Sequence, residues 1–183
     1  MFVALNLPDA VRRALWEATS PLRDLGLPVR WVRPDGIHLT LKFLGEVPQE
    51  GVEDLHSALG RAAKGGRSLP LALEGFGAFP TVERPRVIWA GIDADPGIEL
   101  LQHQVEREFE PLGFAPEGRA FRPHLTLGRV ERDAHPREFA RLGTALAALD
   151  YRETTLVDAV DLMQSTLQSG GPVYQVRHSE RLS

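Results

Sequence analysis

The stretch HLTLKFLGEV at residues 38–47 and the stretch HLTLGRV at residues 124–130 begin with the same four letters, and in each a glycine and then a valine follow. The two copies start 86 residues apart, close to half of the 183-residue chain. A matched motif at this spacing indicates an internal repeat. We therefore expect two lobes related by approximate two-fold symmetry, each carrying one copy.

The segments around the motifs predict a mixed fold. Apolar spacing and turn residues give the order strand, helix, strand, helix, two strands, helix, strand, helix, two strands. Gly75–Pro85 reads as a Gly/Pro-rich loop between strands at 69–73 and 86–92, and Thr154–Met163 reads as one strand. Because hairpins alternate with helices, the class is α+β. We expect a single bilobal domain over residues 1–183, with outer helices on antiparallel sheet around a central groove.

Composition excludes several classes of protein. Hydrophobic residues make up 43% and charged residues 25%, as in a globular domain rather than a disordered chain. No apolar run reaches the roughly 20 residues of a membrane helix. The first residues carry no basic region and reach Asp9 early, so we do not expect a signal peptide. The absence of cysteine excludes disulfides, Cys-ligated zinc and thiol catalysis. We expect a monomer in the cytoplasm that does not bind membranes.

Strand alternation gives the motif its chemistry. In HLTL the two leucines point to one face and belong in the core, while His38 and Thr40, or His124 and Thr126, point to the other. Two such strands across a groove present two imidazoles and two hydroxyls to one point. A neutral histidine accepts a proton from an attacking oxygen, and a protonated one donates to a leaving oxygen, near neutral pH. Threonine hydroxyls can donate to phosphoryl oxygens in the transition state.

Local charge favours an anionic ligand. The chain carries a net charge of −4, which argues against a globally basic nucleic-acid surface. Residues 28–43 nevertheless hold Arg30, Arg33 and Lys42 against Asp35, and residues 118–130 hold three arginines without an acid. Both motifs therefore lie in basic surroundings, as expected near a phosphate site.

Two further residues are substrate-binding candidates. Phe43 follows the first motif and can stack on a base, although a core position fits it equally well. Arg129 follows the second motif and can contact phosphate. Strict alternation would turn Arg129 away from His124, but a bulge at Gly128 would redirect it.

Other interpretations of the histidines are weaker. A structural strand histidine explains one motif but not a matched pair. A metal site normally needs three or four protein ligands, so we expect no metal and no cofactor. No Gly-x-Ser-x-Gly elbow for a serine nucleophile is present.

The sequence also resembles a known family, the 2H phosphoesterases, and within it the bacterial RNA 2′,3′-cyclic phosphodiesterases, also called 2′-5′ RNA ligases. The similarity covers nearly the whole chain, and the matching segments are Phe2–Pro8, His38–Gly45, Pro85–Trp89, Arg122–Leu127 and Gly171–Tyr174. It implies metal-independent opening of a terminal 2′,3′-cyclic phosphate of RNA to a 2′-phosphomonoester. It also implies that His38 is the proton donor, His124 the proton acceptor, and Thr40, Thr126 and Arg129 phosphate contacts. The residues themselves do not order the two histidines.

Two alternatives stay open. The same groups can perform 2′-5′ RNA ligation or act on a small cyclic nucleotide, because the reverse reaction uses the same acid and base. A non-catalytic module that binds RNA 3′ ends is the alternative from another functional class.

Overall fold

A computed structural model of the chain describes residues 1–93, 95–169 and 171–182. These residues form an antiparallel sheet of nine strands and five α-helices, joined by turns that include short 3₁₀ segments. The strands are β1 (Phe2–Asn6), β2 (Val29–Trp31), β3 (His38–Phe43), β4 (Leu69–Pro80), β5 (Pro85–Ile92), β6 (His124–Val130), β7 (Arg152–Val157), β8 (Ala159–Gln168) and β9 (Gly171–Arg181). The helices are α1 (Asp9–Ala18), α2 (Ser20–Arg23), α3 (Val52–Ala63), α4 (Pro96–Phe109) and α5 (Leu142–Ala147).

The sheet consists of two similar halves that meet at the motif strands. Its order is β7-β4-β5-β6-β3-β1-β8-β9, with β2 paired to β6. The central contact joins β3 and β6 through one residue pair, Leu39 with Leu125. On either side of it, β3 pairs with β1 and β6 pairs with β5, both antiparallel. The expected α+β class with antiparallel sheet is confirmed, and both motifs lie at the junction of the halves.

The helices tie the two halves together. Helix α4 lies between β5 and β6 in the chain, but it packs against α3 and against β3, which belongs to the other half of the sheet. Helix α2, from the first half of the chain, packs against α5, which lies on β4. Contacts made by α4 and α2 therefore cross the boundary between the two halves. Among the described residues, no helix is both long enough and apolar enough to span a membrane.

The core forms between the sheet and these helices. The motif leucines Leu39, Leu41, Leu125 and Leu127 all belong to it and are at most 4% exposed. Burying such a side chain stabilises the fold by about 1.5–3 kcal/mol. The leucines thereby fix which face of β3 and β6 is left for the histidines and threonines.

The prediction of a loop at Gly75–Pro85 is wrong for most of that segment. Strand β4 continues to Pro80, and only residues 81–84 form the turn to β5. The glycines serve the strand: Gly75 has φ +78° at a register shift between Leu73 and Phe76, and Gly77 lies under the ring of Trp89. A Cβ at Gly77 would lie 2.3 Å from that ring. Glycine here marks a bulge and a close contact rather than a loop.

The prediction of a single strand at Thr154–Met163 is also wrong. Strand β7 ends at Val157 and β8 begins at Ala159, but β7 is the first strand in the sheet order and β8 the last but one. Strand β7 pairs with β4, whereas β8 pairs with β1 and β9. The apolar run gives no sign of this change because both strands contribute buried residues to the same core.

Candidate active site

The two motif histidines lie on adjacent strands, on the same face of the sheet. Extending the antiparallel register from Leu39 and Leu125 by one residue places His38 beside Thr126 and Thr40 beside His124. The histidines are then diagonal neighbours, about 7–8 Å apart between Cα atoms and somewhat closer between Cβ atoms. A phosphate group fits between two rings at this separation. The structure thus brings together the four residues that the sequence singled out.

Each histidine ring is held by a carbonyl two residues earlier. His124 Nδ1 lies 2.8 Å from the Arg122 carbonyl oxygen, and the His38 ring has a backbone hydrogen bond with Gly36. Gly36 and Arg122 are separated by the same 86 residues as the histidines. With Nδ1–H donating to the Arg122 oxygen, the Nε2 atom of His124 is left free for a ligand proton.

The two rings differ in their surroundings. His38 stacks on Phe2, with centroids 4.7 Å apart, and meets the edge of Tyr174 at 5.2 Å. Burial among these rings, together with the weaker effect of the positive charges of Arg129 and Arg12, lowers the pKa of His38 to about 4. The hydrogen bond with Gly36 opposes this shift. Without a ligand, His38 is therefore neutral at pH 7.

The threonine hydroxyls are available for a ligand. Thr40 and Thr126 are both partly exposed. Within the ranges that the structure describes, neither hydroxyl has a hydrogen-bond partner in the protein. An anion between the histidines would meet one hydroxyl from each strand.

A bulge in each motif strand turns the next residues toward the same face. The pairing of β1 with β3 steps from Ala4–Thr40 to Val3–Lys42, so Leu41 is the extra residue. The pairing of β5 with β6 steps from Trp89–Thr126 to Ile88–Gly128, so Leu127 is the extra residue. Alternation then resumes with Phe43 and Arg129 exposed on the side of the histidines.

Arg129 and Phe43 therefore flank the site on opposite strands. The Arg129 charge acts on both His38 and Tyr174, which places the guanidinium near these rings. The Phe43 ring is 69% exposed and lies 6.2 Å from the Phe2 ring. A core position for Phe43 is thus wrong, and the ring is free to contact a ligand.

One charge expected at the site does not reach it. Lys42 is 5% exposed and forms an ion pair with Glu106 of α4, behind the sheet. Its Nζ also donates to the Ala115 carbonyl oxygen at 2.9 Å. The bulge at Leu41 turns Lys42 inward, so its charge is neutralised away from the histidines. The basic character of the first motif depends on arginines.

The sequence alone did not single out several residues near the histidines. Asn6 pairs with His38 across β1 and β3 and donates to Asp161 Oδ2 at 2.7 Å. Phe79 meets the edge of the His124 ring at 5.2 Å. Phe2 and Tyr174 belong to segments that match the family, which is the signal that could have found them. Asp161 and Phe79 carry no sequence signal, because only tertiary pairing brings them near the motifs.

The other histidines lie elsewhere. His56 of α3 and His178 of β9 stack on each other with centroids 4.2 Å apart, and His103 is exposed on α4. Across the described ranges, no group of three or more His, Asp or Glu side chains is placed to hold a metal ion.

Comparison with known proteins identifies the family. The model of the LigT-like phosphoesterases matches residues 5–89 and 92–174, and each stretch contains one HLTL motif. The RNA 2′,3′-cyclic phosphodiesterase of Thermus thermophilus is 36% identical over 96% of this chain and 86% of its own length. That of Thermotoga maritima is 31% identical over 96% and 91%.

Solved structures agree with the sequence comparison. A crystal structure of a Thermus thermophilus protein superposes with a TM-score of 0.82 at 30% identity, over 99% of this chain and 96% of that one. Escherichia coli LigT in complex with 3′-AMP gives 0.77 at 26% identity, over 100% and 97%. The resemblance seen in the sequence is confirmed, and the chain belongs to the LigT-like phosphoesterase family, within the 2H phosphoesterases.

Proposed function

We propose that this protein is an RNA 2′,3′-cyclic phosphodiesterase that opens the terminal ring to a 2′-phosphomonoester. The observation that carries the proposal is the placement of His38 and His124 on one face of adjacent strands, with a threonine beside each. Relatives named RNA 2′,3′-cyclic phosphodiesterase, about 30% identical over most of the chain, support the substrate class. E. coli LigT was crystallised with 3′-AMP, which supports a nucleotide phosphate at this site.

In the proposed reaction, His124 Nε2 takes a proton from water as the water oxygen attacks phosphorus. The bond from phosphorus to the 3′ oxygen breaks, and protonated His38 gives its proton to that oxygen. The products are a 2′-phosphate and a free 3′-hydroxyl. Thr40, Thr126 and Arg129 hold the non-bridging oxygens, where charge accumulates in the transition state, and Phe43 contacts the terminal nucleoside. No step uses a metal or a cofactor.

The neutral state of His38 in the free protein constrains this assignment. An acid with a pKa of about 4 is mostly unprotonated at pH 7. The cyclic phosphate carries a negative charge, and an opposite charge within about 4–6 Å raises a histidine pKa. Substrate binding therefore raises the fraction of His38 that carries a proton. If the pKa of His38 did not change when substrate binds, that result would support the reverse assignment, with His38 as base and His124 as acid.

The test is turnover of an oligoribonucleotide ending in a 2′,3′-cyclic phosphate, with EDTA present, and identification of the product isomer. We expect the wild type to give the 2′-phosphate, and His38→Ala and His124→Ala to be slower by about 10²–10⁴-fold, the range of acid–base catalysis. His103→Ala is the matched control, because His103 is exposed on α4. Loss of wild-type activity on chelation would contradict the proposal.

The same assay separates the alternatives. If the protein forms 2′-5′ linkages faster than it hydrolyses the cyclic phosphate, it acts as a 2′-5′ RNA ligase at the same site. If it turns over only cyclic mononucleotides, its substrate is a small cyclic nucleotide. An intact ring with tight binding of RNA ends would indicate a binding module. The expected monomeric state and cytoplasmic location remain part of the proposal, and size-exclusion chromatography tests the first.

A further inference from the structure

A groove of about 860 Å³ opens beside the His38 end of the site, and its volume lies in the range of ligand-binding sites. Tyr174 and Arg129 line one part of it. Tyr174 touches the His38 ring, so this part of the groove adjoins the site of the reaction. The groove also contains Arg30, from β2. A chain bound at the histidines can continue into the groove past Arg30.

Arg30 and Arg129 form a cross-strand pair of like charge. They are direct partners in the pairing of β2 with β6, which places their Cβ atoms about 4.5–5.5 Å apart on the same face. Both side chains are exposed, and neither forms an ion pair within the described residues. Like charges in this position destabilise a sheet, and an anion between or beside them removes that cost.

The rest of the groove lining does not supply this charge. Asp35, Glu131 and Asp133 line it together with Arg33 and Arg132, so charges of both signs are mixed there. The positive charge concentrates where Arg30 and Arg129 lie side by side. Two neighbouring phosphates, the reacting one and the next one in the chain, fit two adjacent guanidinium groups, since arginine binds phosphate in a bidentate manner.

We propose that Arg30 binds the phosphodiester on the 5′ side of the terminal nucleotide, so that the enzyme prefers oligoribonucleotides to cyclic mononucleotides. This inference rests on the proposed function and adds a residue that reads the chain rather than its end. Arg129 contacts the reacting phosphate, and Arg30 contacts the next one.

The experiment compares two substrates that differ by one nucleoside and the phosphodiester that joins it to the terminal nucleotide. These are adenosine 2′,3′-cyclic phosphate and the adenosine dinucleotide ending in the same ring. We expect the wild type to prefer the dinucleotide in kcat/KM by about tenfold, the effect of one hydrogen bond to a charged group. Arg30→Gln removes that preference while leaving mononucleotide turnover unchanged. Arg152→Gln is the matched control, because Arg152 is exposed on β7, at the far end of the sheet.

A neutral linkage separates the charge from the added base. For the dinucleotide with a methylphosphonate linkage, the wild type should show the kcat/KM that Arg30→Gln shows for the normal dinucleotide. For Arg30→Gln, the change of linkage should not lower kcat/KM further. An equal loss on both substrates, or an unchanged preference, would overturn the role of Arg30. Failure of the wild type to turn over either substrate would instead overturn the proposed function.

Discussion

Phe43 and Arg129 occupy equivalent positions in the two halves of the sheet, each two residues beyond the extra residue of a bulge. Phe43 and Arg129 are 86 residues apart, as are the two histidines. The repeat therefore includes the backbone irregularity as well as the HLTL motif. The bulges give the two halves equivalent scaffolds that carry different side chains, an aromatic ring in one and a cation in the other.

Arg129→Gln tests the cationic side of this asymmetry. Removing a preorganised donor to a developing oxyanion typically costs about 10²–10³-fold in kcat. We expect a loss of about 10²-fold on mononucleotide and oligonucleotide substrates alike, because Arg129 contacts the reacting phosphate. Steady-state kinetics with both substrates measures it. A loss confined to oligonucleotides would assign Arg129 to chain binding instead.

Phe43→Ala tests the aromatic side. The ring is 69% exposed, so its removal should leave the free energy of unfolding within about 0.5 kcal/mol of the wild type. If Phe43 stacks on the terminal base, KM rises by the equivalent of about 1–3 kcal/mol while kcat changes little. Phe43→Tyr keeps a stacking face and should retain the wild-type KM. Equal KM values for Phe43→Ala and the wild type would show that the ring does not contact substrate.

Gly128→Ala tests how closely β2 must approach β6. A Cβ at Gly128 would lie 2.5 Å from Val29 Cγ1 and 2.9 Å from the Trp31 ring. We expect overpacking to cost about 1–3 kcal/mol of unfolding free energy, measured by urea denaturation. Gly118→Ala is the control, since nothing lies within 4 Å of its Cβ position. Equal stability of both variants would mean that β2 moves away freely.

The sequence predicted the site better than its surroundings, for a physical reason. Alternation within HLTL is local, so the faces of His38 and Thr40 follow from four residues. The direction of Arg129 depends on a bulge, which pairing with β5 reveals. Lys42 shows the same limit: as a basic residue beside the motif it suggested phosphate binding, but the bulge buries it against Glu106. Non-local partners decided each of these positions.

The ion pair between Lys42 and Glu106 gives a stability prediction. Lys42→Met leaves the Glu106 carboxylate, which is 8% exposed, without its cation, although Gln102 still donates to it at 3.1 Å. Breaking one partner of a buried pair costs about 3–5 kcal/mol. The double variant Lys42→Met/Glu106→Leu should recover much of that loss, because no buried charge remains. Denaturant unfolding of the three proteins checks this, and equal losses in the single and double variants would contradict it.

The pH dependence of substrate binding tests the role of His38. In His124→Ala, adenosine 2′,3′-cyclic phosphate binds without rapid turnover and keeps one negative charge between pH 4 and 8. The pKa of His38 is about 4 in the free protein, and the bound phosphate should raise it by about 1–3 units. Protonated His38 then favours the complex. Affinity rises as pH falls through the raised pKa and levels off near pH 4, by about 10- to 1000-fold in all.

Calorimetric titration across this pH range measures the effect, and the double variant His38→Gln/His124→Ala is the control. It keeps a polar side chain at position 38 that does not titrate, so its affinity should not depend on pH in this window. A pH-independent affinity in His124→Ala itself would mean that His38 stays neutral in the complex. Because a neutral imidazole at that position can accept a proton but not supply one, that result would make His38 the base and His124 the acid.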